Sequence, residues 1–128
     1  MIQIPVSIGE LLDKITILEI KIENISDPTK RGNCEKEYHI LLKIAGENHF
    51  FFPEERKNLK KVNQCLWEIE DKLRRKEQRK EFDEEFSQMA REVYKLNDER
   101  AKIKRDINLL SRSEIIEEKE YVKYQESK

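Results

Sequence analysis

From Phe82 onward, apolar residues recur at alternating steps of four and three: Phe82, Phe86, Met89, Val93, Leu96, then Ile103, Ile107 and Leu110. This is the inward seam of an amphipathic helix, with the rhythm used in bundles and coiled coils. It predicts one unbroken helix over residues 82–110, about 45 Å long at 1.5 Å per residue. One beat of the seam falls on Arg100. A guanidinium on a core-facing line needs an explanation, because burying it unpaired is costly.

The same reading places three helices before it. Ile8, Leu11, Ile15, Leu18, Ile22 and Ile25 fit helical steps, although "KITILEIKIENI" also alternates in part like a strand. Ser7 followed by Glu10 has the spacing of a capping box, so the first helix is predicted over about Ile8 to Ile25. Ile17 and Ile20 fall off its main stripe and predict a second apolar face. Ile2, Ile4 and Val6 read as an extended arm, residues 1–6, in which Pro5 excludes helix.

"SDPTKRGN" reads as a loop, with Asp27 before Pro28 suited to cap a helical turn. A second helix is expected over about Asn33 to Phe50, with Cys34, Tyr38, Leu41 and Ala45 as its stripe. "FFFPEE" ends that helix, and its Pro53 opens a third helix carrying Leu59, Val62, Leu66, Ile69 and Leu73. Between Leu73 and Phe82 the chain is wholly polar. Arg74, Arg75, Lys76, Arg79 and Lys80 gather where one helix would end, and Glu81, Asp83, Glu84 and Glu85 where the next would begin. Each sign suits the helix dipole at its end, which predicts a turn near residues 79–82 without Gly or Pro. Residues 112–128 form a less periodic tail, with Ile115, Ile116, Tyr121 and Tyr124 to dock part of it. The expected architecture is one all-α domain, 1–128: an up-and-down bundle of about four helices, built as two helical hairpins.

Composition narrows the function classes. The 128 residues are enough for one core. Charged residues make up 41% but cancel to −1, so no strong pull toward nucleic acid or anionic lipid is expected. The basic run at 72–80 is short and lacks interleaved aromatics, as a solvated helix end would. No apolar stretch approaches a membrane span, the N-terminus lacks a signal-peptide pattern, and Cys34 and Cys65 form no CxxC pair. A cytoplasmic protein is expected, without membrane or nucleic-acid partners.

Little in the chain points to catalysis. Acidic pairs at Glu10/Asp13, Glu68/Asp71 and Glu81/Glu84 have the spacing that holds magnesium in all-helical nucleotide pyrophosphatases. The stripe phase, however, turns Asp13 and Asp71 away from the core. His39 and His49 lack metal-ligand spacing, and neither a Ser-His-Asp order nor a Gly-rich phosphate loop is present. No metal, no cofactor and no catalytic residue is assigned, and enzymatic activity is neither claimed nor excluded. Three readings of Arg100 stay open. It snorkels, it pairs with a carboxylate (Asp13, Glu19, Glu23 or Glu47), or it binds an anion together with Asn97 and Lys104, while Asp98 points elsewhere. Ile17, Ile20 and Trp67, off the main stripes, are the candidates for a subunit interface.

Three stretches carry a resemblance: "IPVSIGELLDKITILEIK" (Ile4 to Lys21), "LWEIEDKLRRKE" (Leu66 to Glu77) and "VYKLNDERAKIKRDINLL" (Val93 to Leu110), followed by "EEKEY". Together they resemble a small family of bacterial and phage proteins of unknown function. The resemblance implies a compact helical protein and supplies no activity. It places Asn97, Asp98, Arg100, Lys104 and Asn108 in a signature stretch. The expected function is a self-associating module, a homo-oligomer that also engages a protein partner. The alternative is a binder of, or enzyme on, a small anionic metabolite through Arg100, Asn97 and Lys104.

Overall fold

The computed structural model describes residues 1–124; the last four residues of the expected tail lie outside the described residues. Four helices pack against each other, and among the described residues there are no strands: α1 (Ile8–Asn24), α2 (Pro28–Glu47), α3 (Pro53–Arg79) and α4 (Glu84–Leu110). None of them is long and apolar enough to cross a membrane.

Helix α1 is the hub. It packs against each of the other three helices, while α3 and α4 pair with each other and α2 docks on α1. Its N-terminal half lies against α4, through Gly9, Glu10 and Asp13. Its C-terminal half lies against α3, through Thr16, Glu19 and Glu23. The helix therefore passes from α4 to α3 across the face of the hairpin. This placement buries two faces. Leu11, Leu12 and Ile15 join Ala45, Leu59 and Ile107 in the core, with Tyr38, Leu41, Phe50 and Phe52 packed around them. A second line at steps of four and three, Gly9, Asp13, Thr16 and Ile20, is buried as well.

Ile20, expected at a subunit surface, is 1% exposed inside the chain. A helix wrapped on two sides has no such surface to offer at that position. Ile17 is half-buried, and Trp67 on α3 is exposed.

The boundaries follow local chemistry. Helix α2 starts at Pro28, five residues before the expected Asn33, because Asp27 accepts from the Thr29 N–H and proline at the first turn gives up no hydrogen bond. It stops at Glu47 instead of Phe50. His49 turns left-handed (φ 58°) and the Phe50 N–H returns to the Ala45 carbonyl, the closing bond of a Schellman end. The α3–α4 turn uses Lys80 at φ 56° in the place usually taken by glycine, with Glu81 N–H bonded to Lys76 O. Lys76 reaches over the turn to Asp83, at 2.9 Å, while Asp83 caps α4 through the Phe86 N–H. This pairing holds the Asp83 carboxyl below its usual range, first through the Lys76 hydrogen bond and then through Phe86. Beyond Leu66 on α3, and before Ile107 on α4, the apolar seam residues are half-buried at most, so the far half of the hairpin projects past α1.

Candidate functional site

The seam of α4 delivers the Arg100 guanidinium onto Asp13 of α1, where Nε donates at 3.0 Å to one carboxylate oxygen and Nη2 pairs with the other. Asp13 is 0% exposed, which corrects the expectation that it points away from the core. The stripe phase followed the apolar face of α1 and passed over the second buried face, which is small and polar. Arg100 keeps 29% of its side chain in contact with solvent. Its pKa is raised further above the usual value, first by the Asp13 hydrogen bond, with burial opposing.

Helix α3 completes the clasp. Asn63 Nδ2 donates to Asp13 Oδ1 at 2.9 Å and lies 3.0 Å from Thr16 Oγ1. The Thr16 hydroxyl in turn donates to the Asp13 carbonyl at 2.8 Å. A carboxylate fully removed from water is tolerated here because its oxygens accept from a bidentate arginine and an amide.

One turn along α4, Lys104 donates to Glu10 at 2.6 Å and lies 4.0 Å from Asp13 and 3.7 Å from Glu117. Glu10 therefore uses its N–H on Ser7 Oγ, as a capping box requires, but spends its carboxylate on Lys104. The remaining N–H groups at the start of α1 are met from the far end of the chain. Gly9 N–H donates to Asn108 Oδ1 at 2.7 Å and Ile8 N–H to Ser113 Oγ at 3.1 Å. Ser7 Oγ also donates to Glu117 at 2.7 Å. Glycine is needed at position 9: a Cβ there would stand 2.5 Å from the Lys104 carbonyl oxygen.

Past Ser113 the chain runs back along α4 as an irregular strap. Glu117 meets Lys104, Glu118 pairs with Arg105, and the Tyr124 hydroxyl donates to Asp98 at 3.1 Å. Between strap and helix lies a hollow of about 630 Å³. Asn97, Arg100 and Lys104, the expected ligand residues, all line it, together with Asn108 and Tyr121. Asp98 lines it too, contrary to the expectation that it points elsewhere. Ile115, Ile116 and Tyr121 remain exposed, and beside these polar contacts the Tyr124 ring packs edge-on against Tyr94 of α4.

Asn63, Thr16, Ser113 and Glu117 were given no role by the sequence pattern. The signal available in advance was the Gly9–Asp13–Thr16–Ile20 spacing, hidden because only one of its members is strongly apolar. Glu10 and Asp13, considered as a magnesium pair, each face a cation, Lys104 and Arg100. That arrangement balances their charge within the protein.

No curated protein and no solved structure was found similar to the chain. The family model that matches it runs over residues 2–126, which takes in the arm, all four helices and the strap. The chain belongs to the family of unknown function DUF6165.

Proposed function

We propose that the protein is a self-associating interaction module whose contact surface is the end of the bundle where the arm leaves α1 and α4 finishes. The observation that carries this reading is a group of apolar side chains left in water at that end. Ile2 and Ile4 of the arm are 90% and 71% exposed, and Leu110 is 61% exposed, with Leu109 beside it. The bonds from Ile8 to Ser113 and from Gly9 to Asn108 bring these two segments together.

Alternate residues of an extended segment face one side, so Ile2, Ile4 and Val6 form a single apolar edge. Exposed apolar side chains gathered at one end of a bundle mark an association surface. The occupant is a second copy of this chain. The arm of one copy, laid over Leu109 and Leu110 of the other, repeats itself under a two-fold axis, the self-complementary geometry of most homodimers. Trp67, the single tryptophan, stands exposed on α3, so its emission reports whether a second contact forms there.

Light scattering on the purified full chain tests the reading. A dimer is expected at micromolar concentration. Ile2→Ser with Ile4→Ser should yield a monomer of unchanged helical content, and Leu109→Ser with Leu110→Ser should do the same. A wild-type chain that stays monomeric as concentration rises would remove the proposal, as would variants that dimerise undiminished.

A further inference from the structure

We infer that the hollow between α4 and the strap binds a small organic anion, and that Asn108 is the residue that recognises it. The site adjoins the proposed arm contact through Asn108 but uses none of its exposed apolar side chains. The inference starts from one atom. Asn108 is 1% exposed, and its Oδ1 is committed to the Gly9 N–H, which fixes the orientation of the amide. Its Nδ2 is buried and has no hydrogen-bond partner among the described residues. Leaving a buried donor unmet costs about 1–3 kcal/mol, and native structures rarely accept that. Asn108 lines the hollow, so the acceptor it lacks would come from there, on a small shift of the strap that opens the buried Nδ2 to it.

The surroundings define what carries that acceptor. Five of the side chains lining the hollow are cationic and three are acidic. Arg100 is paired in bidentate fashion with Asp13, which ties it to α1. The charge that meets a ligand is that of Lys104 and Arg105, whose outer partners are Glu117 and Glu118 of the strap. These two carboxylates occupy the place of an external one. Their side chains are 48% and 67% exposed, and Glu117 stands 3.7 Å from Lys104, so an incoming oxyanion takes its place beside Lys104 while Glu117 keeps its hydrogen bond from Ser7. Val93, Tyr94, Ala101 and Tyr121 supply apolar and aromatic wall. A volume of about 630 Å³ falls within the usual range for small-molecule sites. The ligand class is therefore a compact carboxylate or phosphate monoester with an apolar or aromatic body. Its oxygen accepts from Asn108 Nδ2 and lies beside Lys104.

The test is a titration of the full chain, labelled with nitrogen-15, with benzoate and with phenyl phosphate at millimolar concentration. Benzamide serves as the neutral control. Saturable shifts of the Asn108 side-chain amide by an anion, with weaker effects from benzamide, are expected. Asn108→Asp keeps an oxygen for the Gly9 N–H but removes the donor and adds repulsion. It should weaken anion binding by about tenfold or more, the equivalent of one hydrogen bond to a charged group. Arg105→Gln, at an exposed position, provides a second variant with little risk to folding and should weaken binding less. An Asn108 amide that does not respond to either anion in the wild-type protein overturns the proposal. So does anion affinity undiminished in Asn108→Asp.

Discussion

Replacing Gly9 by alanine should destabilise the protein, although the same exchange inside a helix usually helps. Alanine is favoured over glycine in a helix interior by about 1 kcal/mol. At position 9 the new methyl would lie 2.5 Å from the Lys104 carbonyl oxygen and 2.9 Å from Asn108 Oδ1. Ordinary contact begins at 3.4 Å, so α1 would have to retreat by roughly the difference. The carbonyl belongs to the α4 backbone and cannot rotate aside. A retreat of that size breaks the 2.7 Å bond from Gly9 N–H to Asn108 and loosens the Lys104–Glu10 pair. Overpacking of this kind costs about 1–3 kcal/mol, and the unmet buried N–H adds about as much. After the propensity gain, the net loss is about 3 kcal/mol, or roughly 10 °C in Tm for a chain of this length. Gly32, inside α2, is the matched control, since a methyl added there would meet nothing within 4 Å. Gly32→Ala should raise stability by up to about 1 kcal/mol. Urea denaturation of both variants decides the matter. If Gly9→Ala stabilises the protein as Gly32→Ala does, the close approach of α1 to α4 is wrong.

Two further outcomes concern the hairpin turn. Lys80→Gly should stabilise by about 0.5–1 kcal/mol, because a left-handed C-cap strains lysine and not glycine; a neutral or negative result by urea denaturation would contradict the turn geometry. Asp83 should titrate below 3.8, its ordinary value, when followed by carbon-13 NMR. Since its folded pKa is depressed, its contribution to stability is complete above the unfolded value and fades as pH falls through the folded one. Lys76→Met should bring the midpoint back toward the ordinary value, and a midpoint that does not move would contradict the pairing.

The sequence pattern revealed those parts of the structure that local chemistry determines. Steps of three and four located the helices, and the change from Lys76, Arg79 and Lys80 to Asp83, Glu84 and Glu85 marked a turn that no Gly or Pro announces. It failed where two local signals competed. Gly32 and Asn33 suggested a loop, yet Asp27 and Pro28 cap a helix strongly enough to carry it through them. At the candidate site it identified the position and left the partner among four carboxylates, of which the structure selects Asp13. Arg100 stood out because it interrupts an apolar line, and Asn97 and Lys104 do share its hollow. Asp13 stood among the candidate partners but was turned away from the core by the main stripe, because a helix buried on two faces carries two stripes, and the second is built from Gly9, Asp13, Thr16 and Ile20. Asn108, Ser113 and Glu117 meet α1 from about a hundred residues away, and no local spacing encodes such a meeting.

The arginine–carboxylate clasp ties α1 to the hairpin, and a double-mutant cycle on Asp13 and Arg100 measures it directly. Arg100→Met leaves a carboxylate with no access to solvent and only Asn63 and a distant Lys104 near it, which should cost about 3–5 kcal/mol. Asp13→Asn should cost less, because the partly exposed guanidinium can turn to water. With both changes made, the loss should fall well short of the sum, giving a coupling of about 2 kcal/mol or more by urea denaturation. Single-variant losses that add to within about 0.5 kcal/mol would show that the two side chains do not hold α1 to the hairpin.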